Sequence, residues 1–215
     1  MINRAAEKGQ ISQEEAVSAN GRLRIVSSLS DFSDCGIMIE AIAENIEAKR
    51  ALFQELEEIV SADTILASNT SSLSVTQIAA GCREPARVAG YHFFNPVPLL
   101  KVVEVVEGQL TASWVTDNLE QLALNCGHEP VRTQDTPGFL VNHAGRGLYT
   151  EGVRILSEGI AQPHQVDEVL REGGAGFRMG PFELMDTSRP VVSINLNGPI
   201  LNPAPPSRST SSTWC

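Results

Sequence analysis

The sequence has few of the features that mark membrane, secreted or nucleic-acid-binding proteins. No apolar run approaches the roughly 20 residues that a helix needs to span a bilayer. The N-terminal segment lacks the apolar core of a secretory signal peptide. Basic side chains are outnumbered by acidic ones, 16 to 26, and the net charge of -10 argues against a surface that holds nucleic-acid phosphates. We therefore expect a cytoplasmic protein with no membrane or nucleic-acid partner.

Cysteine and metal-ligand patterns are also sparse. The four cysteines are scattered, without C-x-x-C spacing, so a disulfide framework is not expected and a reducing compartment fits best. His128 lies at a predicted helix exit, where a cation near a helix C-terminus is the simplest interpretation. His143 and His164 have no carboxylate at metal-ligand spacing. The sequence therefore predicts no metal site.

A glycine-rich dinucleotide fingerprint, G-x-G-x-x-G between a first strand and a helix, is absent. The glycine cluster at residues 173–180 has no strand before it, so we interpret its glycines as turn residues between helices. The chain begins in a helix-like segment, followed by a capping box formed by Ser12 and Glu15. These observations predict a sheet without its first strands, in a chain that begins part-way into a domain.

What the sequence does contain is an alternation of apolar runs and amphipathic helices. Helical spacing is clear at residues 45–60 and 111–127, the second with Thr111 as N-cap and Gly127 just past its end. Such alternation predicts an α/β fold with a largely parallel, doubly wound sheet of Rossmann type. The strand-like runs are RLRIV (22–26), GIMIEAI (36–42), DTILAS (63–68), RVAGYHFF (87–94), KVVEVVE (101–107) and EPVRT (129–133).

Two changes of pattern divide the chain into three parts. Residues 1–134 form the predicted partial dinucleotide-binding domain, and residues 135–187 have the pattern of a partial all-helical domain. Residues 188–215 contain five of the twelve prolines and end in Ser/Thr repeats, so we expect a disordered or frameshifted tail.

One stretch, residues 91–108, carries a histidine and a glutamate into two predicted strands. If these strands pair antiparallel about Pro98, His92 and Glu104 face each other with Cβ atoms roughly 5 Å apart. A carboxylate beside one imidazole nitrogen fixes the tautomer and frees the other nitrogen for proton transfer. From the pair alone two interpretations stay open: a general base with its orienting carboxylate, or a core histidine satisfied by a structural carboxylate, which is the commoner case.

Two further polar segments lie where ligands bind in open α/β sheets. Residues 68–75, SNTSSLSV, follow a predicted strand at its carboxyl end, so their hydroxyls either cap the next helix or contact a small ligand. Asn142 lies near a predicted helix start, where N-capping and contact with a substrate are the two alternatives.

Several motifs occur together and in a fixed order: ASNTSSL, HFFNPVP, DTPGF and GFRMGPFEL. In this combination the chain, over roughly residues 1–187, resembles the NAD-dependent L-3-hydroxyacyl-CoA dehydrogenases, including bacterial 3-hydroxybutyryl-CoA dehydrogenases. The resemblance implies an oxidoreductase of fatty-acid or related acyl-CoA metabolism, such as β-oxidation. It would convert (S)-3-hydroxyacyl-CoA to 3-ketoacyl-CoA with NAD, in a family that is commonly homodimeric.

The resemblance also implies roles for individual residues. His92 matches the catalytic histidine that takes the proton of the 3-hydroxyl, and Glu104 matches its orienting carboxylate. Ser71 matches the serine near the substrate hydroxyl and the cofactor, and Asn142 the asparagine that supports the same site. The matches to cofactor-binding positions are Ala41, Glu44, Lys49, Ser71 and Asn95.

Three departures from the family pattern shape the expectation for this chain. The glycine-rich strand, turn and helix are missing before Met1, the helical domain stops early, and the tail after Asp186 matches nothing in the family pattern. These departures predict an interior piece of such an enzyme. Two alternatives to an active dehydrogenase therefore stay open: a catalytically inactive fragment, and a structural, crystallin-like relative on the same fold.

Overall fold

The computed structural model describes residues 2–187, and the predicted tail of residues 188–215 lies outside them. The described part contains five strands and eight α-helices. In chain order these are α1 (Ile2–Glu7), α2 (Gln13–Gly21), β1 (Ile37–Glu40), α3 (Ile46–Glu57), β2 (Ile65–Ser68), α4 (Val75–Ala79), β3 (Val88–Phe93), β4 (Val102–Glu107), α5 (Ser113–Asn125), β5 (Glu129–Gln134), α6 (Val141–Ser157), α7 (Pro163–Glu172) and α8 (Pro181–Thr187).

The five strands form one sheet in the order β1-β2-β3-β4-β5. Strands β1, β2 and β3 pair in parallel, β4 pairs antiparallel to β3, and β5 pairs parallel to β4. The connection between β3 and β4, residues 94–101, is shorter than the crossover of about a dozen residues that parallel neighbours need. The largely parallel sheet is therefore confirmed, with one antiparallel pairing that this short connection imposes.

Helices cover both faces of the sheet, as a doubly wound fold requires. All four residues of β2 are buried, and its three apolar side chains alternate between two hydrophobic clusters. Leu66 packs in the cluster that includes α3 and α4, whereas Ile65 and Ala67 pack in the cluster that includes α5. An apolar run buried on both faces is typical of a central parallel strand. The predicted α/β fold class is confirmed.

The last three helices pack against one another and form the helical part of the structure. The buried carboxylate of Asp167 on α7 accepts hydrogen bonds from the backbone N–H groups of Phe182 (2.9 Å) and Glu183 (3.1 Å) at the start of α8. None of the described helices is long and apolar enough to cross a membrane. The domain boundary near residue 134 stays a prediction, in the segment between β5 and α6.

The predicted strand at residues 22–26 is wrong. These residues are in irregular structure after α2, with Leu23 66% and Ile25 99% exposed. A strand needs a neighbour to satisfy its backbone N–H and C=O groups. In the described part of the chain β1 pairs only with β2, so this apolar run has no partner.

The N-cap predicted at Thr111 is also wrong, because its hydroxyl is used elsewhere. Thr111 Oγ1 accepts a hydrogen bond from the Gly108 N–H (3.0 Å) and donates to the Val88 carbonyl (2.6 Å). Helix α5 instead begins after Ala112, without a side-chain cap. Gly127 does follow the helix end with a left-handed φ of 73°. The capping box at the start of α2 is confirmed as well.

Candidate active site

Strands β3 and β4 bring His92 and Glu104 face to face, in the register that the sequence predicts. His92 Nδ1 lies 2.7 Å from Glu104 Oε2, and the two side chains are 7% and 0% exposed. An ionised carboxylate can only accept, so Nδ1 carries the proton that it donates to Glu104. The other ring nitrogen, Nε2, is then the one with a free lone pair, which is the form of histidine that can act as a base.

The second oxygen of Glu104 holds the start of helix α6. Glu104 Oε1 accepts hydrogen bonds from the backbone N–H groups of Leu140 and Val141, both at 2.8 Å. The first N–H groups of a helix have no partner within the helix, and the positive end of the helix dipole stabilises an anion. Glu104 therefore links β4, His92 and α6 through one buried carboxylate, which is a rigid support for the imidazole.

Two phenylalanine rings surround the imidazole of His92. The ring centroid of Phe94 lies 4.5 Å away and that of Phe139 lies 5.8 Å away, the latter edge-on. Phe139 has a left-handed φ of 48°, a conformation that costs about 1–3 kcal/mol for a residue other than glycine. Its N–H donates to the Thr136 carbonyl (2.8 Å), which closes the turn that brings the ring against His92. Sequence reasoning did not identify either phenylalanine as part of the site.

The loop of residues 69–72, which follows β2, is held by the carboxylate of Glu44. Glu44 Oε1 accepts from the Thr70 hydroxyl (2.5 Å) and from the N–H groups of Ser71 (3.1 Å) and Ser72 (3.3 Å). Burial raises the pKa of the Glu44 carboxyl, but the Thr70 hydrogen bond, the charge of Lys49 and the hydrogen bonds from Ser71 and Ser72 together outweigh it, so the pKa lies below its usual value. We call residues 69–72 the serine loop.

The serine loop is also fixed against the strand that carries His92. Asn69 Oδ1 accepts a hydrogen bond from the backbone N–H of Phe93 (2.9 Å), and β2 and β3 run parallel. Their carboxyl ends therefore meet at one edge of the sheet, where ligands bind in open α/β folds. Ser71 is half-buried there, and no described residue hydrogen-bonds its hydroxyl. The structure thus brings the serine loop next to the His92–Glu104 pair.

Lys49 is buried between two carboxylates beneath this loop. Its Nζ lies 2.6 Å from Glu40 Oε1 and 3.4 Å from Glu44 Oε2. The side chains of Lys49 and Glu40 are each 1% exposed, whereas that of Glu44 is 33% exposed. Sequence reasoning identified Lys49 and Glu44 but missed Glu40, although a charge at the end of the apolar run IMIE is a signal for it.

The remaining predicted residues lie around this edge with fewer contacts. Ala41 and Asn95 are exposed, and Asn142 is half-buried in the first turn of α6. The N-cap of α6 is Leu140, so the N-cap interpretation of Asn142 is wrong. The capping interpretation does hold for one hydroxyl of residues 68–75, because Ser74 caps α4.

Asp135 is a second acidic residue that the sequence did not reveal. Its carboxylate, just after β5, accepts from the Ser74 hydroxyl (2.6 Å) and from the N–H groups of Val75 (3.0 Å) and Thr76 (2.8 Å). These partners lie about 60 residues earlier in the chain, directly after the serine loop. Asp135 therefore ties the DTPGF segment to the start of α4.

Replacing Asp135 with asparagine is expected to lower the free energy of unfolding by about 1–3 kcal/mol, because an NH₂ group then faces a backbone or hydroxyl donor. Urea unfolding followed by circular dichroism measures this change. The control is Asp117→Asn, which removes an exposed ion pair with Arg132 and should change the free energy by less than about 1 kcal/mol. Equal effects of the two substitutions would contradict the assignment of Asp135.

No cluster suited to a metal ion occurs in residues 2–187, where no three or more His, Cys, Asp or Glu side chains come together in that way. His128 and His143 instead place Nδ1 near backbone carbonyls, those of Lys101 (3.0 Å) and Pro137 (3.3 Å). The only titratable pair at the sheet edge that includes a histidine, within the described residues, is His92–Glu104.

Comparisons with known proteins place this chain in a family. Residues 1–136 match the model of the 3-hydroxyacyl-CoA dehydrogenase NAD binding domain, and residues 138–195 match that of the 3-hydroxyacyl-CoA dehydrogenase C-terminal domain. The chain is 44% identical over 185 residues to 3-hydroxyadipyl-CoA dehydrogenase of Escherichia coli (strain K12), covering 86% of this chain and 39% of that protein. It is 42% identical to a probable 3-hydroxybutyryl-CoA dehydrogenase of Bacillus subtilis, covering 86% and 64%.

A solved structure agrees with these sequence matches. The crystal structure of 3-hydroxybutyryl-CoA dehydrogenase from Escherichia coli K12 superposes with a TM-score of 0.82 at 44% identity, covering 86% of this chain and 39% of that one. The chain thus spans less than two thirds of the length of these relatives. The resemblance inferred from the sequence motifs is confirmed, and the chain belongs to the 3-hydroxyacyl-CoA dehydrogenase family.

Proposed function

We propose that this chain is an oxidoreductase that converts (S)-3-hydroxyacyl-CoA to 3-ketoacyl-CoA with NAD, or catalyses the reverse reduction. The observation that carries the proposal is the buried His92–Glu104 pair, which leaves His92 Nε2 available as a base at the ligand-binding edge of the sheet. The family membership and the acyl-CoA names of the relatives supply the substrate class.

The residues at this edge fit the reacting end of NAD. Polar groups with access to solvent follow the carboxyl ends of the neighbouring strands β1, β2 and β3: the part-exposed Glu44 carboxylate, the half-buried Ser71 and the exposed Asn95. The residues that would hold the cofactor are Ala41, Glu44, Lys49, Ser71 and Asn95. When bound, NAD supplies the acceptor for the hydride that leaves C3 of the substrate.

The protein side chains would handle the proton and the position of the substrate. His92 Nε2 takes the proton of the 3-hydroxyl, and the Glu104 carboxylate stabilises the imidazolium that forms. The Ser71 hydroxyl, which no described residue engages, is available to hydrogen-bond the substrate oxygen. Asn142, in the first turn of α6, supports the same site. A positioned base of this kind contributes about 100- to 10,000-fold to a rate.

The acyl-CoA thioester is the substrate class that the proposal favours, because both curated relatives described above carry that chemistry in their names. The cytoplasmic location expected from the sequence and the homodimer implied by the resemblance stay predictions.

The test is consumption of NADH by the purified chain with acetoacetyl-CoA, followed by absorbance, with free acetoacetate as the matched ketone without coenzyme A. We expect oxidation of NADH with acetoacetyl-CoA and a much lower rate with acetoacetate. An NADH fluorescence titration on the same sample separates failure of binding from failure of chemistry. Absence of both binding and turnover would support the inactive-fragment alternative and overturn the proposal.

A further inference from the structure

Glu40 lies at the carboxyl end of β1, and both oxygens of its buried carboxylate accept hydrogen bonds from protein groups. Glu40 Oε1 accepts from Lys49 Nζ (2.6 Å) and from the Ile42 N–H (2.6 Å), and Oε2 accepts from the Ser68 hydroxyl (2.6 Å). The carbonyl of Glu40 also accepts from the Asn69 N–H (2.8 Å). Hydrogen bonds to an ionised carboxylate are stronger than those between neutral groups, so Glu40 holds Lys49, Ile42 and Ser68 firmly in place.

The contacts of Glu40 continue to the serine loop. Lys49 Nζ, held by Glu40, is also 3.4 Å from Glu44 Oε2. Glu44 in turn uses its other oxygen to hold the N–H groups of Ser71 and Ser72. Glu40 contacts Ser68 and Asn69 at the start of the serine loop but neither Ser71 nor Ser72. The side-chain contacts that link Glu40 to Ser71 and Ser72 run through Lys49 and Glu44.

Two carboxylates share one ammonium group in this cluster, and their distances to it are unequal. Lys49 Nζ lies closer to Glu40 than to Glu44, so Glu40 sets the position of the charge. Without the charge of Glu40, the nearest anion to Lys49 is Glu44. The Lys49 ammonium would then attract the Glu44 carboxylate more strongly. This attraction would compete with the hydrogen bonds from Ser71 and Ser72 to Glu44.

We propose that Glu40 is a positioning residue that fixes the serine loop through Lys49 and Glu44. Its consequence for catalysis rests on the proposed dehydrogenase function, in which Ser71 contacts the substrate. Its consequence for the loop does not depend on that function, because the hydrogen bonds concerned lie entirely within the protein.

The test variant is Glu40→Gln, and the chain offers a matched control in Glu57→Gln. Glu57 is also a buried carboxylate, on α3, and lies 3.4 Å from the Arg87 guanidinium. It holds the backbone N–H groups of Arg83 (2.8 Å) and Glu84 (3.0 Å), away from the serine loop. Each substitution removes the negative charge of a buried ion pair. Only Glu40→Gln should change the hydrogen exchange of Ser71 and Ser72.

The primary readout is amide hydrogen exchange of Ser71 and Ser72, measured by NMR as the ratio of each rate to the rate of the same amide in an unstructured peptide. In Glu40→Gln we expect this relative exchange to rise by about tenfold, as for loss of a charge-assisted hydrogen bond. In Glu57→Gln the ratio should stay unchanged, even if overall stability falls. An unchanged ratio in Glu40→Gln, or an equal rise in both variants, would overturn the proposal.

A milder variant keeps the test decisive if Glu40→Gln does not fold. Glu40→Asp keeps the charge but withdraws it by one methylene from Lys49 Nζ, so a smaller rise in the same ratio is expected. Failure of both variants to fold would also overturn the proposal, because Glu40 would then be required for folding as a whole.

Steady-state kinetics of the same variants test whether the position of the serine loop affects catalysis. At a temperature where all variants are folded, kcat/KM for acetoacetyl-CoA should fall about tenfold in Glu40→Gln and stay near wild type in Glu57→Gln. If the wild-type chain itself shows no turnover, the dehydrogenase proposal fails, whereas hydrogen exchange still decides the role of Glu40.

Discussion

Replacement of His92 with glutamine is expected to lower the rate of NADH oxidation with acetoacetyl-CoA by about 100- to 10,000-fold, the contribution of a positioned general acid or base. Glutamine can still donate a hydrogen bond to Glu104, so the contact between the two strands is kept. It offers no nitrogen that exchanges a proton with the substrate at neutral pH. Steady-state rates of the two proteins at saturating NADH measure the difference.

The matched control for this substitution is His164→Gln. His164 is exposed on α7 and has no role in the proposed chemistry, so the rate should stay within about twofold of wild type. An NADH titration of His92→Gln should give nearly the wild-type affinity, because His92 acts on the substrate hydroxyl. Retention of the wild-type rate in His92→Gln would remove His92 from the reaction.

Replacement of Glu104 with glutamine is expected to reduce both activity and stability. The carboxylate has donors on both sides, His92 Nδ1 at 2.7 Å and the N–H groups of Leu140 and Val141 at 2.8 Å. A side-chain amide has only one oxygen, so its NH₂ group must face one of these donors. If it faces His92, the imidazole changes tautomer and Nε2 carries the proton, which removes the base.

The expected losses for Glu104→Gln are about 100-fold or more in rate and about 1–3 kcal/mol in the free energy of unfolding. Urea unfolding and the acetoacetyl-CoA assay measure them on the same preparation. Glu107→Gln on the same strand is the control, because Glu107 is only part-buried and its carboxylate accepts one long hydrogen bond, from the Gln134 side chain (3.3 Å). Equal behaviour of the two variants would contradict the role of Glu104.

The pairing of His92 with Glu104 could be predicted because local features determine it. A short connection around Pro98 allows only an antiparallel hairpin, and the hairpin register decides which residues face each other. The helices at residues 45–60 and 111–127 were predictable for a similar reason, since their apolar spacing reflects a face that packs on the sheet.

Features that depend on distant parts of the chain could not be predicted in this way. Asp135 accepts hydrogen bonds from the start of a helix about 60 residues earlier in the chain. Glu40 accepts a hydrogen bond from the Ser68 hydroxyl, 28 residues later. The apolar run at residues 22–26 looks like a strand, but a strand also requires a neighbour, which periodicity does not reveal. The role of Glu104 in holding α6 likewise depends on how the helical part packs against the sheet.

The most direct test of the central claim follows the hydride itself. The wild-type chain and His92→Gln are each incubated with acetoacetyl-CoA and NADH in which both hydrogens at C4 of the nicotinamide are deuterium. Mass spectrometry then locates the label in the acyl-CoA product. We predict 3-hydroxybutyryl-CoA with one deuterium at C3 from the wild-type chain and almost none from His92→Gln in the same time. Unlabelled product, no product from the wild-type chain, or equal labelling by both proteins would contradict hydride transfer at a His92-centred site.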